Sequence, residues 1–169
     1  LEANDKFNFL TKHMSVVDLG SAPGSWSQVL SNTLGSNGHI FALDLLEMEL
    51  IKNVDFLKGA FREQEILDIL VKKLGKPSLD LVISDMAPNI SGIKSSDQAG
   101  IIHLNELALQ FAVKWLKPNG CFLVKSFVGE DFDGFVAETR KQFEKVTTFK
   151  PKSSRDRSSE IFVFGRNRV

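Results

Sequence analysis

Residues 16–28, V-V-D-L-G-S-A-P-G-S-W-S-Q, decide how the rest of this chain is read. The apolar run into Asp18 predicts a buried strand over Met14–Asp18, a tight glycine-rich loop, and a helix from about Gly24 to Leu34. Gly20 and Gly24 suit a backbone that turns sharply and comes close to a ligand, where a Cβ would obstruct. Pro23 fits the approach to the first helical turn, where a missing N–H costs nothing. Gly35 stands where a helix C-cap is expected. Asp18, at the carboxyl end of the strand, is expected to face whatever sits over the loop, because open α/β sheets bind ligands at that edge.

The spacing G-x-x-x-G differs from the G-x-G-x-x-G of dinucleotide sites, and no G-x-x-x-x-G-K-[ST] phosphate loop is present. An acidic residue does follow the second predicted strand, His39–Asp44. Asp44 is placed to accept hydrogen bonds from both hydroxyls of a ribose. A nucleoside ligand without a pyrophosphate meets both observations, and S-adenosylmethionine is the common one.

Working outward, short apolar strands alternate with helices. Val54–Leu57 reads as a third strand and Glu63–Leu74 as a helix carrying Ile66, Leu67, Ile69, Leu70 and Leu74. Leu79–Asp85 is a nearly continuous apolar run, as expected of a central strand covered on both faces. Met86–Gly100 reads as a polar loop. In the next helix Leu104, Leu107, Ala108, Phe111, Ala112, Trp115 and Leu116 share one face, and Lys117–Gly120 stops it. Cys121–Ser126 is a fifth strand, with Lys125 at its end, and Asp131–Phe143 a helix. Lys145–Lys150 and Glu160–Gly165 are two last strands around the basic loop Pro151–Ser159. Such alternation implies one α/β domain over residues 1–169, a mostly parallel sheet with helices on both faces.

Composition narrows the function classes. The 169 residues are 43% hydrophobic, enough for an ample core, and carry no net charge, so any polyanionic partner must be met by a local patch. The single cysteine, Cys121, lies in an apolar strand and reads as a small buried hydrophobe; it rules out a disulfide framework. No apolar run approaches the ~20 residues of a membrane span. His13, His39 and His103 are scattered, and no metal is expected. A monomer is the default expectation.

Three charged residues fall at the carboxyl edge of this sheet: Asp85 after strand four, Lys125 after strand five, and Glu160 if the last strand runs antiparallel. A lysine there can act as a base only where burial lowers its proton affinity more than neighbouring carboxylates raise it. The basic residues Lys150, Lys152, Arg155 and Arg157, with Lys94 after strand four, form a local patch suited to RNA. Met86 and Phe127 are candidates to line the approach of a target base.

The motifs V-V-D-L-G-S-A-P-G-S-W-S-Q, S-D-M-A-P-N-I-S-G, F-L-V-K-S-F and K-P-K-S-S-R-D-R-S-S-E-I-F, together spanning nearly the whole chain, resemble the FtsJ/RrmJ family of ribosomal RNA 2′-O-ribose methyltransferases. The resemblance implies a Rossmann-like sheet of seven strands with its last strand antiparallel. It also implies S-adenosylmethionine as methyl donor, held by Asp18, Gly20, Pro23, Gly24, Trp26, Asp44 and Asp85. The family uses a Lys-Asp-Lys-Glu tetrad, in which Asp85, Lys125 and Glu160 match the last three members. The first lysine is expected just upstream of Leu1. Where bacterial relatives carry G-D-F to hold the adenine amino group, this chain has Gly59-Ala60-Phe61, a departure from the pattern. The implied substrate is a ribose 2′-hydroxyl, a uridine's by family habit, in ribosomal RNA or the large ribosomal subunit. Transfer RNA and messenger caps are the alternatives within the family. A cytoplasmic location follows, or a mitochondrial one if a transit segment precedes Leu1.

Two other readings remain. A nucleobase methyltransferase of the exocyclic-amine type carries [DN]-P-P-[YF] after strand four, where this chain has Asp85-Met86-Ala87-Pro88. An RNA-binding module that has kept the fold without turnover is favoured by Ala60 and disfavoured by retention of Asp85, Lys125 and Glu160.

Overall fold

The computed structural model describes residues 2–88, 90–152 and 159–169. In chain order they form α1 (Glu2–Phe7), β1 (Ser15–Leu19), α2 (Ser25–Leu34), β2 (His39–Asp44), β3 (Val54–Lys58) and α3 (Gln64–Leu74). Then come β4 (Leu79–Ser84), α4 (Lys94–Trp115), β5 (Leu116–Phe127), α5 (Phe132–Gln142), β6 (Phe143–Phe149) and β7 (Glu160–Arg168). The seven strands make one sheet in the order β3-β2-β1-β4-β5-β7-β6. β7 pairs antiparallel with both β5 and β6, and the other pairings are parallel. The expected Rossmann-like arrangement, antiparallel last strand included, is therefore the observed one.

Successive residues of each central strand serve opposite faces, and both faces are covered. Val17, Val82, Val124 and Val163 pack with residues of α3, α4 and α5, among them Leu70, Phe111 and Phe135. Their neighbours Val16, Leu81, Leu123 and Phe162 pack on the other side with Ala3 of α1 and Leu30 and Leu34 of α2. This two-sided burial is why β4 lacks polar alternation: Leu81, Val82 and Ile83 are all fully buried, each side chain contributing about 1.5–3 kcal/mol of transfer free energy. Cys121 is buried, and burial pushes its thiol pKa up, in keeping with a packing residue.

Several boundaries differ from the sequence reading. α4 begins at Lys94, seven residues inside the stretch expected to be loop. Its first turns are polar because Lys94, Ser95 and Ser96 are exposed, so they carry no apolar period. Asp97 anchors that start by accepting hydrogen bonds from Ser91 N and Oγ and from Gly92 N. β5 is longer than Cys121–Ser126. It starts at Leu116, opposite Leu79, with an irregularity before Leu81 meets Cys121, so Lys117–Gly120 bends within the strand. It also runs on to Phe127, which places Lys125 two residues inside its end.

Strand order reverses between β1 and its two neighbours: the chain moves outward to β2 and β3, then returns to β4 on the other side. The crevice beyond the ends of β1 and β4 is the place where such sheets receive ligands.

Candidate active site

Gly20 follows β1 in the left-handed region, at φ 73°. A Cβ there would stand 2.6 Å from the Asp85 carbonyl oxygen and 2.8 Å from Met86 N. The loop after β1 and the chain leaving β4 thus touch backbone to backbone, and only glycine permits it. Asp85 N donates to Leu19 O (2.9 Å), and Gly20 N and Ser21 N donate to Leu43 O (2.8 and 3.1 Å), so β1, β2 and β4 are stitched together at their ends.

A cavity of about 410 Å³ opens beside this junction, lined by Gly20, Ala22, Asp44, Leu46, Ala60 and Asp85 among others. Asp44 links the two loops that wall it: Oδ2 accepts from Ala22 N (2.8 Å) and Oδ1 from Leu46 N (2.9 Å). Each carboxylate oxygen keeps a further lone pair for a ligand hydroxyl. Leu45 and Leu46 line the same cavity while remaining largely exposed. With Asp44 they form the D-L-L that follows the second strand, which also belongs to the family resemblance, and paired leucines directly after a strand-ending acid are a signal of apolar lining. Gly59, Ala60, Phe61 and Arg62 close the opposite wall.

The remaining residues expected around the ligand lie elsewhere. Asp18 does not face the cavity: it is 1% exposed and its Oδ2 accepts from Ser27 Oγ at 2.7 Å, pinning the first turn of α2. Its Oδ1 has no hydrogen-bond partner among the described residues. Burial raises its pKa to about 7, against the lowering hydrogen bond from Ser27, and the charges of Asp85 and Asp44 add to the rise. Trp26 packs its ring against Phe162, with centroids 5.6 Å apart. Gly24, at φ 115°, gives room to Met48 and Ile51, whose side chains would lie 3.0–3.1 Å from a Cβ. Neither Trp26, Pro23 nor Gly24 lines the cavity; they shape the turn that carries Gly20 and Ala22.

The three charged residues expected at the sheet edge do meet. Lys125 Nζ lies 2.5 Å from Asp85 Oδ1 and 3.8 Å from Glu160 Oε2, with all three side chains partly buried. The antiparallel register accounts for this. Phe127 stands opposite Glu160 and Lys125 opposite Phe162, so Lys125 and Glu160 are diagonal neighbours on one face of the ribbon. Asp85 arrives from β4 on the other side. Burial raises the Asp85 pKa, and the Lys125 hydrogen bond and charge oppose that rise. Asp85 also lines the cavity, so one residue borders both the ligand space and the lysine.

Of the expected RNA contacts, Lys150 donates from Nζ to the Glu160 main-chain oxygen (2.8 Å), and Lys152 N donates to Glu2 Oε2 (2.7 Å). Lys150 therefore borders the Glu160 side of the site, while Lys152 lies against Glu2 of α1. Lys94 sits on the first turn of α4 and is exposed. Arg155 and Arg157 lie outside the described residues. Among the described residues no cluster of three or more His, Cys, Asp or Glu is arranged to hold a metal, and no helix is long and apolar enough to cross a membrane.

Comparison with known proteins places this geometry. A ribosomal RNA large subunit methyltransferase E from Methylobacillus flagellatus is 56% identical over 168 residues, covering 99% of this chain and 81% of the relative. The protein of the same name from Chromobacterium violaceum is 51% identical, covering 99% and 82%. Among solved structures, a Plasmodium falciparum protein provisionally assigned as a ribosomal RNA methyltransferase superposes with a TM-score of 0.85 at 26% identity, covering 99% of this chain and 93% of that one. A Streptococcus mutans structure in complex with S-adenosylhomocysteine, 16% identical with a TM-score of 0.61 over 96% of this chain and 90% of that one, shares the fold. The sequence model of the FtsJ-like methyltransferases matches residues 1–168, and the chain belongs to that family.

Proposed function

We propose that this chain transfers a methyl group from S-adenosylmethionine to a ribose 2′-hydroxyl, with a uridine of large-subunit ribosomal RNA as acceptor. The observation that carries the reading is Lys125, held between Asp85 and Glu160 beside a cavity that Asp85 also lines. The bacterial relatives named for the large ribosomal subunit favour that substrate over transfer RNA or a messenger cap, and favour action in the cytoplasm.

The cavity suits the methyl donor. Asp44 offers a carboxylate to a ribose, Leu45 and Leu46 offer apolar contact to a base, and Gly20, by lacking a Cβ, lets the backbone leaving β4 close in beside it. Ala60 provides no side-chain acceptor for an adenine amino group, so that contact falls to main-chain atoms or to another side chain of the wall. When bound, S-adenosylmethionine supplies an electrophilic sulfonium methyl and leaves as S-adenosylhomocysteine once the 2′-oxygen has taken it.

The chain's own residues handle the hydroxyl. Lys125 Nζ, fixed by two carboxylates, is positioned to hold the 2′-oxygen and draw off its proton as the new C–O bond forms. Lys125 can hand one of its own protons to its ion-pair partner Asp85 as it takes the hydroxyl proton, and burial raises the affinity of Asp85 for that proton above that of an ordinary carboxylate. Glu160 holds the lysine from the other side and borders the ribose. Orientation carries much of the rate, since placing reactants in line is worth up to roughly 7–11 kcal/mol.

The test is transfer of tritiated methyl groups from S-adenosylmethionine to undermethylated large ribosomal subunits by the full-length protein, with nuclease mapping of the product. A 2′-O-methylated nucleotide that disappears in Lys125→Ala, with donor binding retained, is the expected result. Full methylation by Lys125→Ala would remove the lysine from the mechanism. Absence of transfer by the unaltered protein, with the donor bound, would overturn the reaction itself.

A further inference from the structure

A second cavity, of about 700 Å³, lies past the end of β5 and shares no lining residue with the first. Its walls come from three segments: the start of α4 (Gly92, Lys94, Gln98), the turn after β5 (Phe127, Gly129), and Ser159. These segments adjoin the catalytic residues directly. Phe127 is two positions beyond Lys125 and stands opposite Glu160, and Ser159 immediately precedes Glu160, its carbonyl accepting from Val128 N at 2.9 Å. The donor cavity borders Asp85, the ion-pair partner of Lys125, and this one borders Ser159 and Phe127 beside Glu160.

We propose that this second cavity receives the base of the RNA nucleotide whose 2′-hydroxyl is methylated; this rests on the RNA 2′-O-methyltransferase reading above. Four observations converge. A ribose presented to Lys125 must send its base away from the donor cavity, and this is the adjoining concavity. Along an extended strand two residues span ~6.6 Å, a separation that one nucleoside bridges between Lys125 and the Phe127 turn. The cavity's size falls within the ~300–1,000 Å³ usual for small-ligand pockets. Its lining joins the aromatic Phe127 and the exposed Val128 to a cation, Lys94, the mixture that an unstacked base and its phosphate require, with Asp97 and Glu130 also on its walls.

The cavity is also built to keep its shape. Gln98 donates through Nε2 to both the Phe127 and the Glu130 carbonyls (2.9 and 3.2 Å), tying α4 to the turn across the opening. Gly129 leaves the space that Gln98 fills, since a Cβ would approach the Gln98 carboxamide to 3.0 Å. Gln98 is thus a positioning residue: it holds the wall against which the base would rest.

Two measurements test the proposal on the full-length protein. First, the unaltered enzyme is photocrosslinked to a ribosomal RNA fragment carrying 4-thiouridine at the methylated position. Crosslinks are expected in peptides containing residues 92–101 or 127–130; crosslinks confined to other peptides would overturn the assignment. Second, Ser95→Trp adds an indole to an exposed lining position, where folding tolerates it. The KM for RNA should rise about 5- to 150-fold, the range for loss of one stacked base, with the dissociation constant for S-adenosylmethionine unchanged. An unchanged KM for RNA, or an equal loss of donor binding, would count against the cavity. Failure of the unaltered enzyme to form any 2′-O-methyl product would instead sink the underlying reaction, so the two failures are distinguishable.

Discussion

Asp18 gives this fold a pH dependence that can be isolated. Its carboxyl group is 1% exposed, and burial moves its pKa from the ordinary 3.8 to about 7. Below pH ~4 the folded and unfolded chains both hold the proton, and the group's stabilising contribution is fully present. Between the two pKa values the folded chain keeps a proton that the unfolded chain has released, so stability falls as pH rises, by about 1.4 kcal/mol per pH unit. The whole span amounts to about 4 kcal/mol, and about 2–3 kcal/mol of it falls between pH ~5 and ~8. Asp18→Asn keeps an oxygen to accept from Ser27 Oγ but cannot ionise. Whatever its absolute stability, the variant should gain on the parent by about 2–3 kcal/mol across that interval. Urea unfolding of both proteins without ligand, at several pH values from about 5 to about 8, measures the difference directly. Parallel stability curves would show that Asp18 titrates alike in the folded and unfolded chains, and would refute the argument.

Other substitutions probe the junction. Gly20→Ala combines a left-handed backbone, unfavourable by roughly 1–2 kcal/mol, with a Cβ 2.6 Å from the Asp85 carbonyl oxygen. It should weaken S-adenosylmethionine binding and slow methyl transfer together, as calorimetry and single-turnover assays would show; an effect on neither would mean the contact is slack. Asp44→Ala removes both amide contacts and the ribose acceptor. Stability should fall by about 1–3 kcal/mol, and donor affinity by at least about tenfold, read by thermal unfolding and equilibrium binding. Combined charge reversal of Lys94 and Lys152 should lower RNA affinity and reduce the steepness of its salt dependence by about two ions; an unaltered salt slope would remove both from the RNA interface.

Much of this was legible in the sequence because buried strands write themselves as apolar runs. β2 was expected at its observed bounds, and β4 to within one residue. Asp85, Lys125 and Glu160 were legible as strand-end charges, and the antiparallel last strand brings them together as the family resemblance implied. What local sequence does not record is who sits across from whom. Lys117-Pro118-Asn119-Gly120 has the composition of a turn, and Asn119 has the positive φ of one at 70°, yet the segment belongs to β5 because Leu116 pairs with Leu79. Asp18 looked like a ligand-facing acid because it ends a strand; its partner, Ser27, lies across the loop in the first turn of α2, and nothing in the spacing announced that bond. The second cavity was invisible for the same reason: its walls are 26 or more residues apart and meet only when β5, β7 and α4 have assembled.

The position of β7 has a consequence for how the chain is made. It is synthesised after β6 yet occupies the sheet between β5 and β6, so during translation two strands wait for a third to slide between them. Until residues 160–168 leave the ribosome, β5 offers an open edge with Phe122, Leu123 and Val124 behind it, the kind of exposed strand that invites mispairing with other chains. The strand that closes this edge also begins with Glu160. A nascent chain therefore gains protection from aggregation and its full complement of charged residues around Lys125 in a single late step.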